Sequence, residues 1–183
     1  MMAAAKGKRI AALVLMAANG VTGSDLILAQ QQHFLGRSNF SEAEKQVKID
    51  LQTRINQAVI TGKGWETLPP DLRRQVDNPE FQSILVHDPA KIMPEVRQPI
   101  LIVQGELDTQ VAPSNADRLE ALARARKKAP PADVVKVPAV NHLLVPATTG
   151  EVDEYGTLRD KHVSAAVSMP IVSWLSRTLA AAR

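Results

Sequence analysis

The sequence predicts an α/β protein in which helices cover both faces of a sheet of parallel strands. Two short apolar runs, at residues 10–18 and 100–103, are typical of strands buried on both faces, and a valine-rich run follows at 133–137. Segments with apolar residues at helical spacing separate these runs and follow the last one. Because strands and helices alternate, the strands should be parallel and joined by right-handed crossovers.

The composition is that of one folded globular domain. The chain has 183 residues, of which 45% are apolar and 22% are charged, close to the averages for soluble proteins. Aromatic residues make up 3%, which leaves few rings on which bases could stack, so we expect no nucleic-acid partner. The absence of cysteine excludes disulfides and thiolate metal ligands, and it leaves a cytoplasmic, secreted or periplasmic location open.

The N-terminal segment allows two interpretations. Residues 1–9 are basic and residues 10–18 are apolar with small residues at their end, which is the pattern of a secretory signal. The same apolar run, followed by Asn19 and Gly20, equally fits a buried strand and its turn. The later strands favour the strand interpretation. The run is too short to cross a bilayer, so we expect no membrane segment.

Two helices should follow the first strand. Residues 22–37 have apolar side chains near helical spacing, with a glycine as a stop signal. Ser41 and Glu44, three residues apart, form a capping box, and an amphipathic stripe then runs to Gly62. Six prolines divide residues 61–99 into helices that are too short to form a core of their own.

Two ionisable side chains lie just beyond the later strands. Asp108 follows the run at 100–103, and His142 follows the run at 133–137 by five residues. Functional groups of α/β sheets gather in loops at the carboxyl ends of strands. We therefore expect both side chains in neighbouring loops at one end of the sheet, with the carboxylate and the imidazole near hydrogen-bond distance.

Two further helices are expected in this half of the chain, at residues 113–128 and 163–181. Four basic residues at 124–128 lie at the end of the first of them. Because the helix macrodipole favours cations there, we interpret this cluster as solvated surface and not as a phosphate site.

Distinct motifs surround Asp108 and His142. Residues 99–113 read Pro-Ile-Leu-Ile-Val-Gln-Gly-Glu-Leu-Asp-Thr-Gln-Val-Ala-Pro, and residues 137–146 read Val-Pro-Ala-Val-Asn-His-Leu-Leu-Val-Pro. These segments strongly resemble the loops that carry the catalytic acid and the catalytic histidine in α/β-hydrolases. In that family an apolar strand is followed by Gly-x-x-Asp, and the next strand by an Asn-His or Gly-His pair.

The resemblance extends over most of the chain. Residues 9–19 are similar to the strand after the nucleophile helix of that family, and residues 171–179 to its final helix. Asn-His-Leu with the run at 149–155 resembles dienelactone hydrolase-like and prolyl-oligopeptidase-like serine hydrolases. The resemblance implies a partial α/β-hydrolase fold, with about three parallel strands, flanking helices and a helical cap. Its segments would be the first core strand at 1–20, the cap or lid at 21–95 and the C-terminal α/β core at 96–183.

The resemblance implies hydrolysis of a small-molecule ester, lactone or peptide without a cofactor, with Asp108 as the triad acid and His142 as the base. The carboxylate would fix the imidazole tautomer, and the imidazole would take and return the proton of the nucleophile. The chain departs from the family because it lacks Gly-x-Ser-x-Gly. Ser24 and Ser114 lie nearest to such a position, but turn and N-cap roles explain both. We therefore expect a truncated chain that is weakly active or inactive alone.

Two alternatives remain open. In the first, His142 activates water without a serine, aided by Asp108 and a pocket formed across a dimer. In the second, the chain is a non-catalytic interaction module that pairs through its exposed first strand. An unpaired apolar edge at residues 10–18 would be a template for another chain, so we expect a homo-oligomer formed through this strand.

Other candidate residues have simpler explanations. Trp65, in the predicted lid, is a candidate substrate contact, although tryptophans are more often core anchors. His33, His87 and His162 lack partners at metal-ligand spacing, so we expect no metal site. Residues 149–155 should form an ordered loop over the end of the sheet.

Overall fold

The computed structural model describes residues 1–7, 9–127, 129–130 and 132–180. Within these ranges the chain forms three strands and eight α-helices, with short 3-10 turns between some of them. The strands are β1 (Leu13–Met16), β2 (Ile100–Gly105) and β3 (Ala132–Val137). The helices are α1 (Met2–Lys6), α2 (Gly23–Gly36), α3 (Glu42–Thr61), α4 (Pro70–Val76), α5 (Pro79–Leu85), α6 (Pro89–Ile92), α7 (Ser114–Arg124) and α8 (Ala165–Ala180).

The three strands form one parallel sheet with β2 in the centre. Leu13 lies opposite Ile100, which in turn lies opposite Ala132. All six residues of β2 are buried, as its largely apolar sequence predicts. The predicted α/β class, with three parallel strands and flanking helices, is confirmed.

The chain divides into two compact units, a sheet unit of Met1–Val21 with Pro89–Arg183 and a helical unit of Thr22–Asp88. The sheet unit has a core layer on each face of the sheet, because successive strand residues point to opposite faces. One layer joins the isoleucines of β2 to α7, and the other joins Leu101 and Val103 to α8. Helices therefore cover both faces.

The helical unit contains α2 to α5. The predicted capping box begins α3: the Glu44 carboxylate accepts a hydrogen bond from the Ser41 amide at 2.8 Å, and the Ser41 hydroxyl accepts one from the Glu44 amide. Gly62 ends this helix with a φ of 71°. A buried apolar cluster holds the unit together, formed by Ile55, Ala58, Val59, Leu68 and Leu85. The role of residues 21–95 as a lid stays a prediction.

The N-terminal helix and two helix boundaries differ from the expectations. Helix α1 was not predicted, because residues 1–9 were interpreted from their basic charge. Its sequence, Met-Ala-Ala-Ala-Lys, consists of strong helix formers. Helix α7 ends at Arg124 and not at Lys128, and α8 begins at Ala165 and not at residue 163. Lys128 and the expected end of the last helix at residue 181 lie outside the described residues. No helix in the described ranges is long and apolar enough to span a membrane.

The interpretation of the basic cluster at 124–128 as solvated surface is wrong for Arg126, which is buried. Arg126 is only 8% exposed. The guanidinium donates hydrogen bonds to the carbonyls of Val96, Gln98, Ala123 and Pro130 at 2.6 to 3.2 Å. Burial and the neighbouring Arg97 lower the pKa of Arg126. This side chain therefore ties the end of α7 to the segment that leads into β2.

Candidate active site

Asp108 lies in the loop that follows β2, residues 106–112, which we call the Asp108 loop. Its carboxylate accepts hydrogen bonds from the amides of Gln110 and Val111 at 3.0 and 2.8 Å through Oδ1. Through Oδ2 it accepts one from Gln104 Nε2 at 2.9 Å and faces His142. The residue is 2% exposed. A buried carboxylate is tolerated when both oxygens have donors, as they do here.

His142 lies in the loop that follows β3, residues 138–146, which we call the His142 loop. Its Nδ1 is 2.9 Å from Asp108 Oδ2. Because an ionised carboxylate can only accept, Nδ1 is the donor, and in the neutral imidazole Nε2 then keeps its lone pair. The His142 side chain is 29% exposed, whereas the Asp108 side chain is fully buried. The structure thus brings the two predicted residues together, with the acid inside and the base in contact with solvent.

Gly105, the last residue of β2, lets the two loops approach each other. A Cβ atom at this position would be 2.3 Å from the Val140 carbonyl oxygen, so only glycine fits. Backbone hydrogen bonds of 2.9 Å then join Glu106 to Val137 and Leu107 to Val140. These contacts hold the Asp108 loop next to the His142 loop.

Asn141 holds the His142 loop in a tight turn. Asn141 is fully buried, and its Oδ1 accepts hydrogen bonds from the amides of Leu143 and Val145 at 3.0 and 3.4 Å. Its Nδ2 has no hydrogen-bond partner, the one such buried side-chain atom among the described residues. Ala139 and Leu144 have positive φ angles of 54° and 61°, which are strained for residues with a Cβ atom.

A segment after the His142 loop, residues 148–155, lies against the Asp108 loop, and we call it the strap. Thr109 Oγ1 donates to the Gly150 carbonyl at 3.1 Å, and Gln110 Nε2 donates to the Tyr155 hydroxyl at 2.8 Å. Gly150 has a φ of 77°, and a Cβ atom there would be 1.7 Å from the Leu107 carbonyl oxygen. The run at 149–155 therefore forms an ordered loop that is hydrogen-bonded to the Asp108 loop.

Glu154 closes the strap on itself. Its carboxylate accepts hydrogen bonds from the amides of Thr148, Thr149 and Gly150 at 2.7, 3.0 and 2.8 Å. The Thr149 hydroxyl donates a further one at 2.8 Å. These hydrogen bonds lower the pKa of the Glu154 carboxyl from 4.5 to about 2, and the bond from the Thr148 amide has the largest effect. The carboxylate is therefore the form that holds the strap.

The candidate serines have structural roles. Ser24 lies in the first turn of α2, where its hydroxyl accepts a hydrogen bond from Asn56 Nδ2 at 3.1 Å. Ser114 is the first residue of α7, and Pro113 takes the N-cap position that was expected for Ser114. No serine hydroxyl in the described part of the chain hydrogen bonds to His142.

Of the remaining candidates, Trp65, His33 and His87 belong to the helical unit, and His162 belongs to the sheet unit. Trp65 is half-buried in the helical unit, packs against its apolar cluster and lies under the Arg73 guanidinium at 5.2 Å. Its role as a substrate contact stays a prediction. His162 hydrogen bonds to Asp160 at 2.9 Å on the surface. Among the described residues no group of His, Asp and Glu side chains could hold a metal ion.

Sequence reasoning assigned no role in the site to Gln104, Asn141 or Glu154. Gln104 has a signal that could have been used, since it is the one polar side chain in an otherwise apolar strand. Asn141 precedes the histidine directly. Glu154 gives little local signal, because three of the four hydrogen bonds to its carboxylate come from backbone amides. Together these residues fix the position of an aspartate and histidine pair that can take and return a proton through Nε2.

One solved structure that is similar is that of MGS-M2, an α/β hydrolase enzyme from a Medee basin deep-sea metagenome library, which is 18% identical over the aligned region. The alignment covers 74% of this chain and 50% of that chain, with a TM-score of 0.35. This chain therefore spans about half the length of that enzyme. No protein-family model matches the chain, and no curated protein matches it.

Proposed function

We propose that this chain supplies the acid and the base of a hydrolase site, Asp108 and His142, for hydrolysis of an ester, lactone or peptide bond. The hydrogen bond of 2.9 Å between Asp108 Oδ2 and His142 Nδ1 carries the proposal. The contrast in burial supports it, because the carboxylate is shielded while the imidazole is 29% exposed. An aspartate held in this way fixes the tautomer and stabilises the imidazolium that forms when Nε2 takes a proton.

The nucleophile distinguishes two versions of this proposal. In the first, a serine hydroxyl gives its proton to His142 Nε2, attacks the carbonyl carbon and forms an acyl-enzyme that water hydrolyses. In the second, Nε2 takes a proton from a water molecule, whose oxygen attacks the carbonyl carbon directly. The second version is favoured for the chain acting alone, because no described serine hydrogen bonds to His142.

The test is hydrolysis of para-nitrophenyl acetate by the purified chain, compared with free imidazole at equal concentration. We expect the native chain to exceed imidazole, and His142→Ala to lose about 10²- to 10⁴-fold of that rate, the usual contribution of a general base. His162→Ala is the matched control. His162 also hydrogen bonds to an aspartate at 2.9 Å, but its side chain is 97% exposed, so this variant should keep the native rate.

A fluorophosphonate probe separates the two versions. If a serine of this chain is the nucleophile, that serine gains the mass of the probe and hydrolysis stops. The water version predicts no covalent label and an unchanged rate, because the probe reacts with activated serines and not with a base that acts on water.

The non-catalytic alternative predicts a different result. If the native chain is no faster than imidazole, the water version is wrong, and if folded His142→Ala keeps the native rate, the hydrolase proposal is wrong. The protein would then be best explained as an interaction module that pairs through β1. Circular dichroism of each variant establishes that it is folded before rates are compared.

A further inference from the structure

The two outer strands of the sheet differ in the charges they carry. Strand β3 contains two charged side chains with partners: Asp133 accepts a hydrogen bond from Trp174 Nε1, and Lys136 forms an ion pair with Asp117, both at 2.6 Å. Charged side chains on an outer strand oppose pairing with a further strand. The four residues of β1, Leu-Val-Leu-Met, include none.

One edge of β1 has backbone groups that β2 does not use. Leu13 and Ala17 donate their amide hydrogens to the carbonyls of Pro99 and Val103 on the β2 side, at 3.0 and 2.9 Å. Since successive residues of a strand direct their N–H and C=O groups to opposite sides, those of Val14 and Met16 point away from β2. Strand β2 is the one strand that pairs with β1 among the described residues.

Three of the four side chains of β1 pack within the sheet unit, and its edge away from β2 is open. Leu13 and Leu15 contact the core layer that contains α7, and Val14 contacts the layer that contains α8. Met16 is the exception, with 43% of its surface exposed at the end of the strand. A partner that satisfies the free backbone groups must itself be a strand, because helices have no free amides along their length.

We propose that β1 of a second copy of this chain occupies this edge, antiparallel to the first and related to it by a two-fold axis. The free groups belong to residues 14 and 16, so Val14 must lie opposite the partner's Met16, and Leu15 must lie on the axis. Two such contacts make four backbone hydrogen bonds. They also cover the exposed Met16 side chain with the partner's Val14 on the same face of the sheet.

The charges near β1 fit this arrangement. The flanking segment before β1 is basic and includes Lys6 and Arg9. An antiparallel partner directs its own basic segment towards the opposite end of β1, whereas a parallel register would bring the two basic segments side by side. Like charges directly opposite each other destabilise a strand pair. The two sheets then join into one sheet of six strands, and the paired β1 edges no longer face solvent.

The first test is the mass of the full chain in solution by light scattering at micromolar concentration. We expect twice the monomer mass of 19.9 kDa for the native chain and the monomer mass for Met16→Lys, which places a charge on the edge. Met169→Lys is the matched control. Met169 is 68% exposed on α8, so this variant should stay dimeric. A monomeric native chain would overturn the proposal.

The second test checks the register and does not depend on the Lys variants. The chain has no cysteine, so an introduced cysteine can form a disulfide only with its copy. Leu15→Cys should cross-link on oxidation, because residues on the axis in a non-hydrogen-bonded pair have Cα atoms about 4.5 Å apart. Met16→Cys, although more exposed, should not, since its copy lies about 7–8 Å away. Cross-linking of Met16→Cys alone would contradict the proposed register.

Discussion

The Asp108 loop and the His142 loop follow neighbouring parallel strands, yet their backbones are built differently. No residue of the Asp108 loop has a positive φ, and its aspartate receives donors at both carboxylate oxygens. The His142 loop contains two non-glycine residues with positive φ and the buried, unpartnered Nδ2 of Asn141. The carboxylate in the Asp108 loop thus has hydrogen-bond donors at both oxygens, whereas the backbone of the His142 loop is strained.

The position of the base therefore depends on the loop of the acid. Strained residues persist only where the surrounding structure determines their conformation. Here Gly105 allows the contact between the loops, and Leu107 donates to Val140 at 2.9 Å. Substitutions that weaken the Asp108 loop should therefore displace His142, and substitutions that relieve the His142 loop should stabilise the protein.

The largest effect is expected from Asp108→Asn. The substitution removes a buried charge that several donors face, so we expect a loss of about 3 kcal/mol in the free energy of unfolding, measured with urea. If the chain is a hydrolase, its rate should fall by about 10⁴-fold, because the imidazole tautomer is no longer fixed. Asp160→Asn is the matched control, since Asp160 also hydrogen bonds to a histidine at 2.9 Å but on the surface. Its cost should stay under about 0.5 kcal/mol.

Gly105→Ala should have the next largest effect. A Cβ atom 2.3 Å from the Val140 carbonyl oxygen must push the two loops apart, at a cost of about 1–3 kcal/mol. The imidazole signals of His142 in NMR spectra should shift with it. Gly36→Ala is the control, because nothing lies within 4 Å of a Cβ atom there and alanine favours the helix by about 1 kcal/mol. Equal stability of the two variants would contradict the close approach.

The same substitution in the two loops should have opposite signs. Ala139 and Ala112 are both exposed, but only Ala139 has a positive φ. Ala139→Gly should stabilise the protein by about 0.5–1 kcal/mol, since glycine relieves the left-handed strain and loses part of that gain to chain entropy. Ala112→Gly should cost about 0.4–1 kcal/mol through chain entropy alone. Urea unfolding of both variants checks the comparison, which fails if Ala139→Gly is the less stable one.

The smallest effect is expected on lowering the pH. The pKa of Glu154 is lowered from 4.5 to about 2, so its contribution to strap stability is complete above 4.5 and is lost as the pH falls towards 2. The amide signals of residues 148–150 should therefore change over this window in the native chain. They should not in Glu154→Gln, which cannot ionise. In Glu44→Gln, which alters the capping box of α3, they should titrate as in the native chain.

The positions of strands and of the two loops could be predicted because they depend on local patterns. Apolar runs gave β1 and β2, and the position of Asp108 after β2 followed from chain order. The partners of Arg126 could not be predicted, since two of its carbonyl acceptors lie about 30 residues away in the chain. The role of Glu154 could not be predicted for a different reason, because three of the four hydrogen bonds to its carboxylate come from backbone amides.

The hydrogen bond from Trp174 to Asp133 also gives the protein a spectroscopic label. The chain has two tryptophans, and the structure assigns Trp174 to the sheet unit and Trp65 to the helical unit. Trp174 is 4% exposed, whereas Trp65 is half-buried, so their fluorescence should differ in colour and in access to quenchers. Emission from Trp65→Phe and Trp174→Phe would therefore follow each unit separately during unfolding.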